Sequence, residues 1–260
     1  MIISKLIPTE SSLYLILSEF SKKLDGLMKF NPYRWFVLWI LMASGTAAHE
    51  GVIDRFTFWN ESSPLSGWIT LVIVTGIFQY TMEKQKFSFN GIVNNWKLII
   101  EHILFSFLLF ITGWGWLSGN YFNALQSFLP YLMGYLSVLG MFQINLDTVD
   151  EKGYEPGKWI VVVSLLLSIS SIVLGIILDD PVISTASAVY TPFLLVTLVF
   201  PEHKRHIQRI RIYPIFIYAM FVSVRLPWLL IPLGILFFGI RIYNYFRYNI
   251  VYPTFSVDHD

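Results

Sequence analysis

The stretch Trp159–Leu178, WIVVVSLLLSISSIVLGIIL, runs for twenty residues without a single charge. A helix of that length reaches about 30 Å, the thickness of a bilayer's hydrocarbon core. Lipid offers backbone groups no partner, so a run this long and unbroken reads as a membrane-crossing helix, not as a barrel strand.

Working outward from it, seven further apolar segments appear. They are Trp35–His49, Gly67–Met82, Leu98–Leu117, Phe122–Ile144, Val182–Phe200, Ile212–Val224 and Trp228–Phe246. The expected fold is therefore all-α, a polytopic transmembrane helix bundle of about eight spans over residues 35–246. The composition agrees: 55% of the 260 residues are hydrophobic and only 13% are charged, too few charges to cover a core of this size in water. Mean hydropathy is +0.60.

The charges give an orientation. With eight spans, sixteen of the eighteen Lys and Arg residues fall on one side, and only Arg55 and Arg225 fall on the other. The positive-inside rule makes the crowded side cytoplasmic, with both termini there and 247–260 as a cytoplasmic tail. The last two spans are separated only by Arg225, Leu226 and Pro227, read as a tight hairpin. Residues 8–30 read as an interfacial amphipathic helix. Leu13, Leu17, Phe20, Leu24 and Leu27 recur at helical spacing, and Glu19, Lys22, Lys23 and Asp25 take the other face. Most tryptophans fall near span ends, as an aromatic belt does. The chain shows no repeat and no linker, so 1–260 is expected to form one membrane domain, in a bacterial or archaeal cell membrane. Nothing points to nucleic acid: the net charge is +1 and no basic stripe is present. With no cysteine there is no disulfide and no thiolate-held metal.

The segment with most chemical content is the fourth loop, Gln143-Ile-Asn-Leu-Asp147-Thr-Val-Asp150-Glu151-Lys152-Gly153-Tyr-Glu155-Pro-Gly157. Continued as a helix, it would place Asp147 and Glu151 on one face. Two carboxylates so placed suit a hard cation such as Mg²⁺, which takes one or two carboxylates together with substrate phosphates. An ordinary solvated acidic loop explains the same residues. Gly153 and Gly157 let the chain turn.

Several features resemble the UbiA superfamily of intramembrane prenyltransferases. Asp147-Thr-Val-Asp150-Glu151-Lys152-Gly153 keeps the outline of that family's second aspartate motif, with Glu151 for the second Asp and Asp150 for the usual Gly. The ending Ile242-Tyr-Asn-Tyr-Phe-Arg247-Tyr-Asn-Ile-Val-Tyr252-Pro253 and the entry Asn31-Pro-Tyr-Arg34-Trp35 are similar to the family's as well. At the place of the first motif stands Gln79-Tyr-Thr-Met-Glu83-Lys-Gln-Lys-Phe87, which keeps the first spacing and puts Phe87 where the last Asp belongs. The resemblance implies transfer of a polyprenyl group from a diphosphate to a lipophilic, possibly aromatic, acceptor. Asp147, Glu151 and Glu83 would be catalytic, with Asp150 and Gln79 joining them as Mg²⁺ ligands. Lys84, Lys152 and Arg209 would bind the diphosphate. Membrane lipid, polyprenyl diphosphate and acceptor are the implied partners.

The alternative is a non-catalytic multi-span protein that binds lipid or pigment or serves a larger membrane complex. A transporter is disfavoured, because most spans carry no ionisable residue near mid-membrane. His49 and His102 are expected at opposite faces, each near enough to an interface to be solvated. Asp179 and Asp180, beside Pro181, are expected to serve a turn.

Overall fold

The computed structural model describes residues 2–25, 33–54, 64–85, 95–115, 120–149 and 153–251. Among them every regular element is helical. Two helices precede the apolar region, α1 (Ile2–Leu6) and α2 (Ser12–Lys23). Eight helices of 19 to 22 residues follow: α3 (Tyr33–Ile53), α4 (Pro64–Gln85), α5 (Trp96–Trp114), α6 (Tyr121–Met141), α7 (Trp159–Ile177), α8 (Pro181–Val199), α9 (Lys204–Arg225) and α10 (Leu230–Tyr248). A helix stands wherever the hydropathy pattern placed a span. Six stretches are both long and apolar enough to cross a membrane: Trp35–Ile53, Trp96–Trp114, Trp159–Ile177, Pro181–Val199, Lys204–Arg225 and Pro227–Tyr248. In α4 the apolar part is shorter, Leu65–Tyr80. Helix α6 is diluted by Asn123, Gln126, Pro130 and its tyrosines.

The chain's contacts divide it into two compact units, 37–230 and the paired segments 1–36 and 231–260. In the larger unit α6, α7, α8 and α9 pack in sequence order, each against the next. The seam between them is made of small and hydroxylated residues. Ser137 donates to the carbonyl of Ser164 at 2.6 Å, and Ser171 donates to that of Pro130 at 2.7 Å. Ser171 and Ser187 are hydrogen-bonded at 2.7 Å, Ser187 and Tyr218 at 3.0 Å, and Ser168 and Thr191 at 2.9 Å. At Gly134 a Cβ would meet the Tyr218 hydroxyl at 2.7 Å. Helices α3 and α5 approach until their backbones touch. A Cβ on Gly45 would run into the Phe110 carbonyl, and one on Gly113 into that of Met42, while Thr46 donates to the Gly113 carbonyl at 2.8 Å.

The outward faces are the reverse of a water-soluble bundle's. In the larger unit Leu166 and Ile177 are 58 and 70% exposed and Val173 and Val199 are exposed; in the smaller unit Ile235 is 69% exposed and Phe238 is exposed. Small polar residues inside and large apolar ones outside is the arrangement that a lipid surround favours, because apolar burial gives no drive to pack helices within lipid.

In the smaller unit α2 meets α10. The Tyr14 hydroxyl donates to the Tyr245 carbonyl at 3.2 Å, and that of Tyr245 to Ile7 at 2.6 Å. Asp25 takes Arg247 Nε at 2.9 and 3.0 Å and the Tyr243 hydroxyl at 2.7 Å. Helix α2 thus uses Tyr14 and, just past its end, Asp25 against α10. It leaves Leu13, Ile16 and Phe20 exposed. The sequence had grouped Asp25 with the solvent-facing charges; its partners on α10 reverse that.

Candidate functional site

Through its described residues the acidic loop is not a continuation of α6. The helix stops at Met141, and only Leu146–Thr148 forms a single 3-10 turn. Asn145 starts that turn, its side-chain oxygen accepting the Asp147 amide at 3.0 Å. The loop closes on itself. The Asn145 amide donates to the Glu155 carbonyl at 2.9 Å, and the Glu155 amide donates to Thr148 Oγ1 at 3.0 Å. Gly153 and Gly157 have φ of +125° and +115°, left-handed values that a side chain would strain. So both glycines turn the chain as expected, but the helical face proposed for Asp147 and Glu151 does not form at Asp147.

Arg211 of α9 fixes this loop from below. Its guanidinium is buried, and Nε donates to the Met141 carbonyl at 3.1 Å while Nη2 donates to that of Ile144. The Met141 carbonyl belongs to the last turn of α6, at the negative pole of its dipole, and that of Ile144 lies three residues beyond it. Within the loop the Tyr154 ring is buried. Among the described residues its hydroxyl has no hydrogen-bond partner, and burial pushes its pKa up to about 12.

Asp147 projects from the loop with its side chain 87% exposed and Lys204 Nζ at 3.8 Å. At that exposure the pair contributes little stability, under about 1 kcal/mol. Gln79 is half-buried on α4, and Arg209 is exposed on α9. Glu83 and Lys84 occupy the last turn of α4, where only the backbone is described. Asp150, Glu151 and Lys152 lie outside the described residues. Among the described residues no three His, Asp or Glu side chains gather as a metal site would require. Nor is any of three cavities, of about 50, 180 and 370 Å³, lined by Asp147, Gln79 or Arg209.

Neither a family model, nor a curated protein, nor a solved structure matches the chain.

Three polar groupings went unread in the sequence. His102 is not solvated: it is fully buried, with Nδ1 2.7 Å from the Tyr135 hydroxyl. His49 stands edge-on to Trp114 at 5.0 Å. Asp180 does more than turn the chain. One oxygen accepts the amides of Val182 at 3.0 Å and Ile183 at 3.4 Å, capping α8, and the other accepts the Tyr131 hydroxyl at 2.8 Å. Burial raises its pKa, opposed by Tyr131 and by the nearby Arg225. Arg225 is 1% exposed. It donates to the Ala47 carbonyl at 3.4 Å, and its guanidinium lies against Gly51. An Asp-Pro helix start was visible in the sequence as a cap signal; the partners on α6 and α9 were not.

Proposed function

We propose that this chain is an integral membrane protein of eight spans, with both termini on the cytoplasmic side and α2 lying in the interface. We propose further that it is a UbiA-like prenyltransferase, moving a polyprenyl group from a diphosphate to a lipophilic acceptor. The observation that carries this reading is the construction of the acidic loop. A buried arginine, two left-handed glycines and a closed set of backbone bonds hold a loop whose foremost side chain is a carboxylate in solvent. A loop with no task needs no such anchoring.

Lys204 lies 3.8 Å from Asp147 and supplies a counter-charge for a diphosphate at that position. The orphan hydroxyl of Tyr154 is the kind of buried donor that a bound ligand or water satisfies. Asp147 offers Mg²⁺ a hard, accessible oxygen. Asp150, Glu151, Glu83 and Gln79 would complete the ligands, and the ion would neutralise the leaving diphosphate. Lys84, Lys152 and Arg209 complete the proposed anion-binding set.

A non-catalytic lipid-binding protein is the second reading. What favours it is that Asp147 and the described cavities are lined by different residues. Incubating the purified protein with labelled geranylgeranyl diphosphate, with and without Mg²⁺, separates the two. Mg²⁺-dependent release of diphosphate, lost in Asp147→Ala, is the expected result. No release from the wild type, or equal release from the variant, leaves the second reading.

A further inference from the structure

Arg205 and Arg209 are exposed on α9, one turn apart. The acidic loop is served by other cations of the same helix. Lys204 meets Asp147 at 3.8 Å, and Arg211 is buried against the Met141 and Ile144 carbonyls, so the side of α9 that carries Lys204 and Arg211 faces the loop. With 3.6 residues to a turn, Arg205 and Arg209 stand roughly a third of a turn round the helix from that side. Among the described residues neither has a carboxylate partner: Asp147 is taken by Lys204, and Glu202 Oε1 lies 2.9 Å from His203 Nδ1.

The line that these two begin continues into apolar surface. Steps of four, four and seven residues keep to one face of a helix, so Arg205, Arg209, Tyr213 and Met220 share it. Tyr213 is 39% and Met220 62% exposed. Helix α8 runs alongside. Its Phe193 stands edge-on to the Tyr213 ring at 5.4 Å, and from that contact toward the basic end Val196 and Val199 are exposed. Two guanidiniums are thus set at the rim of a greasy strip, with a phenol at the border. The candidate span is Lys204–Arg225, about 33 Å long as a helix. With its apolar part in a hydrocarbon core of about 30 Å, the two arginines come level with lipid phosphates.

We propose that this face of α8 and α9 binds an anionic phospholipid, its phosphate held by Arg205 and Arg209 and an acyl chain lying along Tyr213 and Met220. A guanidinium presents N–H donors in a planar fork that fits phosphate oxygens. Two of them without a paired acid carry a positive excess that a headgroup of net negative charge neutralises. A zwitterionic headgroup brings its own ammonium against them. A tyrosine ring suits the level between headgroup and chains. The inference rests on the chain being embedded in a membrane and not on the transferase reading. That reading asks Arg209 for a substrate diphosphate, and the experiment separates the two anions.

Native mass spectrometry of the full-length protein in detergent tests it, with phosphatidylglycerol and phosphatidylcholine of identical chains. Phosphatidylglycerol should bind about tenfold tighter, and the preference should shrink as salt rises. The double variant Arg205→Gln, Arg209→Gln should lose it while melting with the wild type, because both side chains are exposed. Arg205→Lys, Arg209→Lys should keep most of it, which ties the effect to charge and not to the shape of α9. Inorganic diphosphate is titrated alongside. Equal binding of the two lipids by the wild type overturns the proposal, as does a preference that survives the glutamine double variant. Diphosphate binding that the glutamine variant removes, with no lipid preference, overturns it too and hands both arginines to the transferase site. Alkaline carbonate washing of vesicles that carry the protein checks the premise by itself: a chain released into solution ends the membrane reading, and this proposal with it.

Discussion

Arg211 and Met141 are joined by a 3.1 Å hydrogen bond from the guanidinium Nε to the main-chain carbonyl. The same side chain reaches Ile144, so one buried cation sets both the end of α6 and the start of the acidic loop. Replacing it with methionine removes both hydrogen bonds, leaves Met141 O only the 3.5 Å bond from the Ile144 amide, and should cost about 1 to 3 kcal/mol. The expected signs are a lower melting temperature in detergent and faster proteolysis within 145–158. Arg211→Lys should recover only part, because an ammonium lacks the fork that serves two carbonyls at once. A methionine variant that melts with the wild type would contradict the role.

The α3–α5 contact predicts a sharp contrast between glycines. At Gly113 and Gly45 a side chain meets backbone, which cannot rotate away. Gly113→Val should therefore separate the two helices and cost about 3 kcal/mol or more. At Gly76 of α4 nothing lies within 4 Å of an added Cβ. Gly76→Ala should be neutral or stabilise by up to about 1 kcal/mol through helix propensity. The monodisperse fraction after size-exclusion chromatography and the melting temperature read both.

The hydroxyl seam is open to a double-mutant cycle. Ser187→Ala and Tyr218→Phe each remove one end of a 3.0 Å bond. The coupling expected from such pairs in lipid is about 0.6 kcal/mol. Additive losses in melting free energy would show that the bond contributes no coupling.

Asp25 gives a pH dependence. The Arg247 hydrogen bond, aided by Tyr243, holds its carboxyl below the ordinary value of 3.8. A depressed folded-state pKa stabilises the contact above the unfolded value, and the effect fades as pH falls through the folded one. The α2–α10 contact is therefore expected to be intact at neutral pH and to loosen only below about pH 4. Hydrogen exchange along 12–25 should accelerate in that window, and Asp25→Asn should show the faster exchange already at pH 7. Acid-insensitive exchange in the wild type would sever the link.

Hydropathy placed all eight long helices, because a lipid-facing residue announces itself by being apolar. The Trp159–Leu178 run needed no other information. The charges behind the orientation argument are not confined to loops: Lys204, Arg205, Arg209 and Arg211 form the first turns of α9. What stayed hidden was every pairing across helices. Ser168, Ser171 and Ser187 read as minor interruptions in apolar runs, yet they face one another at the seam. Arg211 and Arg225 read as loop charges at the ends of a span, and their burial depends on carbonyls contributed by α6 and α3. At the candidate site the glycine turns were legible from Gly153 and Gly157. The break before Asp147 was not, because α6 stops at Met141 and Asn145 caps a separate turn.

Only Leu178, Asp179 and Asp180 separate Ile177 from Pro181. So short a tether leaves α7 and α8 one arrangement, side by side and antiparallel, so the register that sets Ser171 against Ser187 and Ser168 against Thr191 is fixed at the turn itself. Lengthening the tether would free that register before any seam bond was lost.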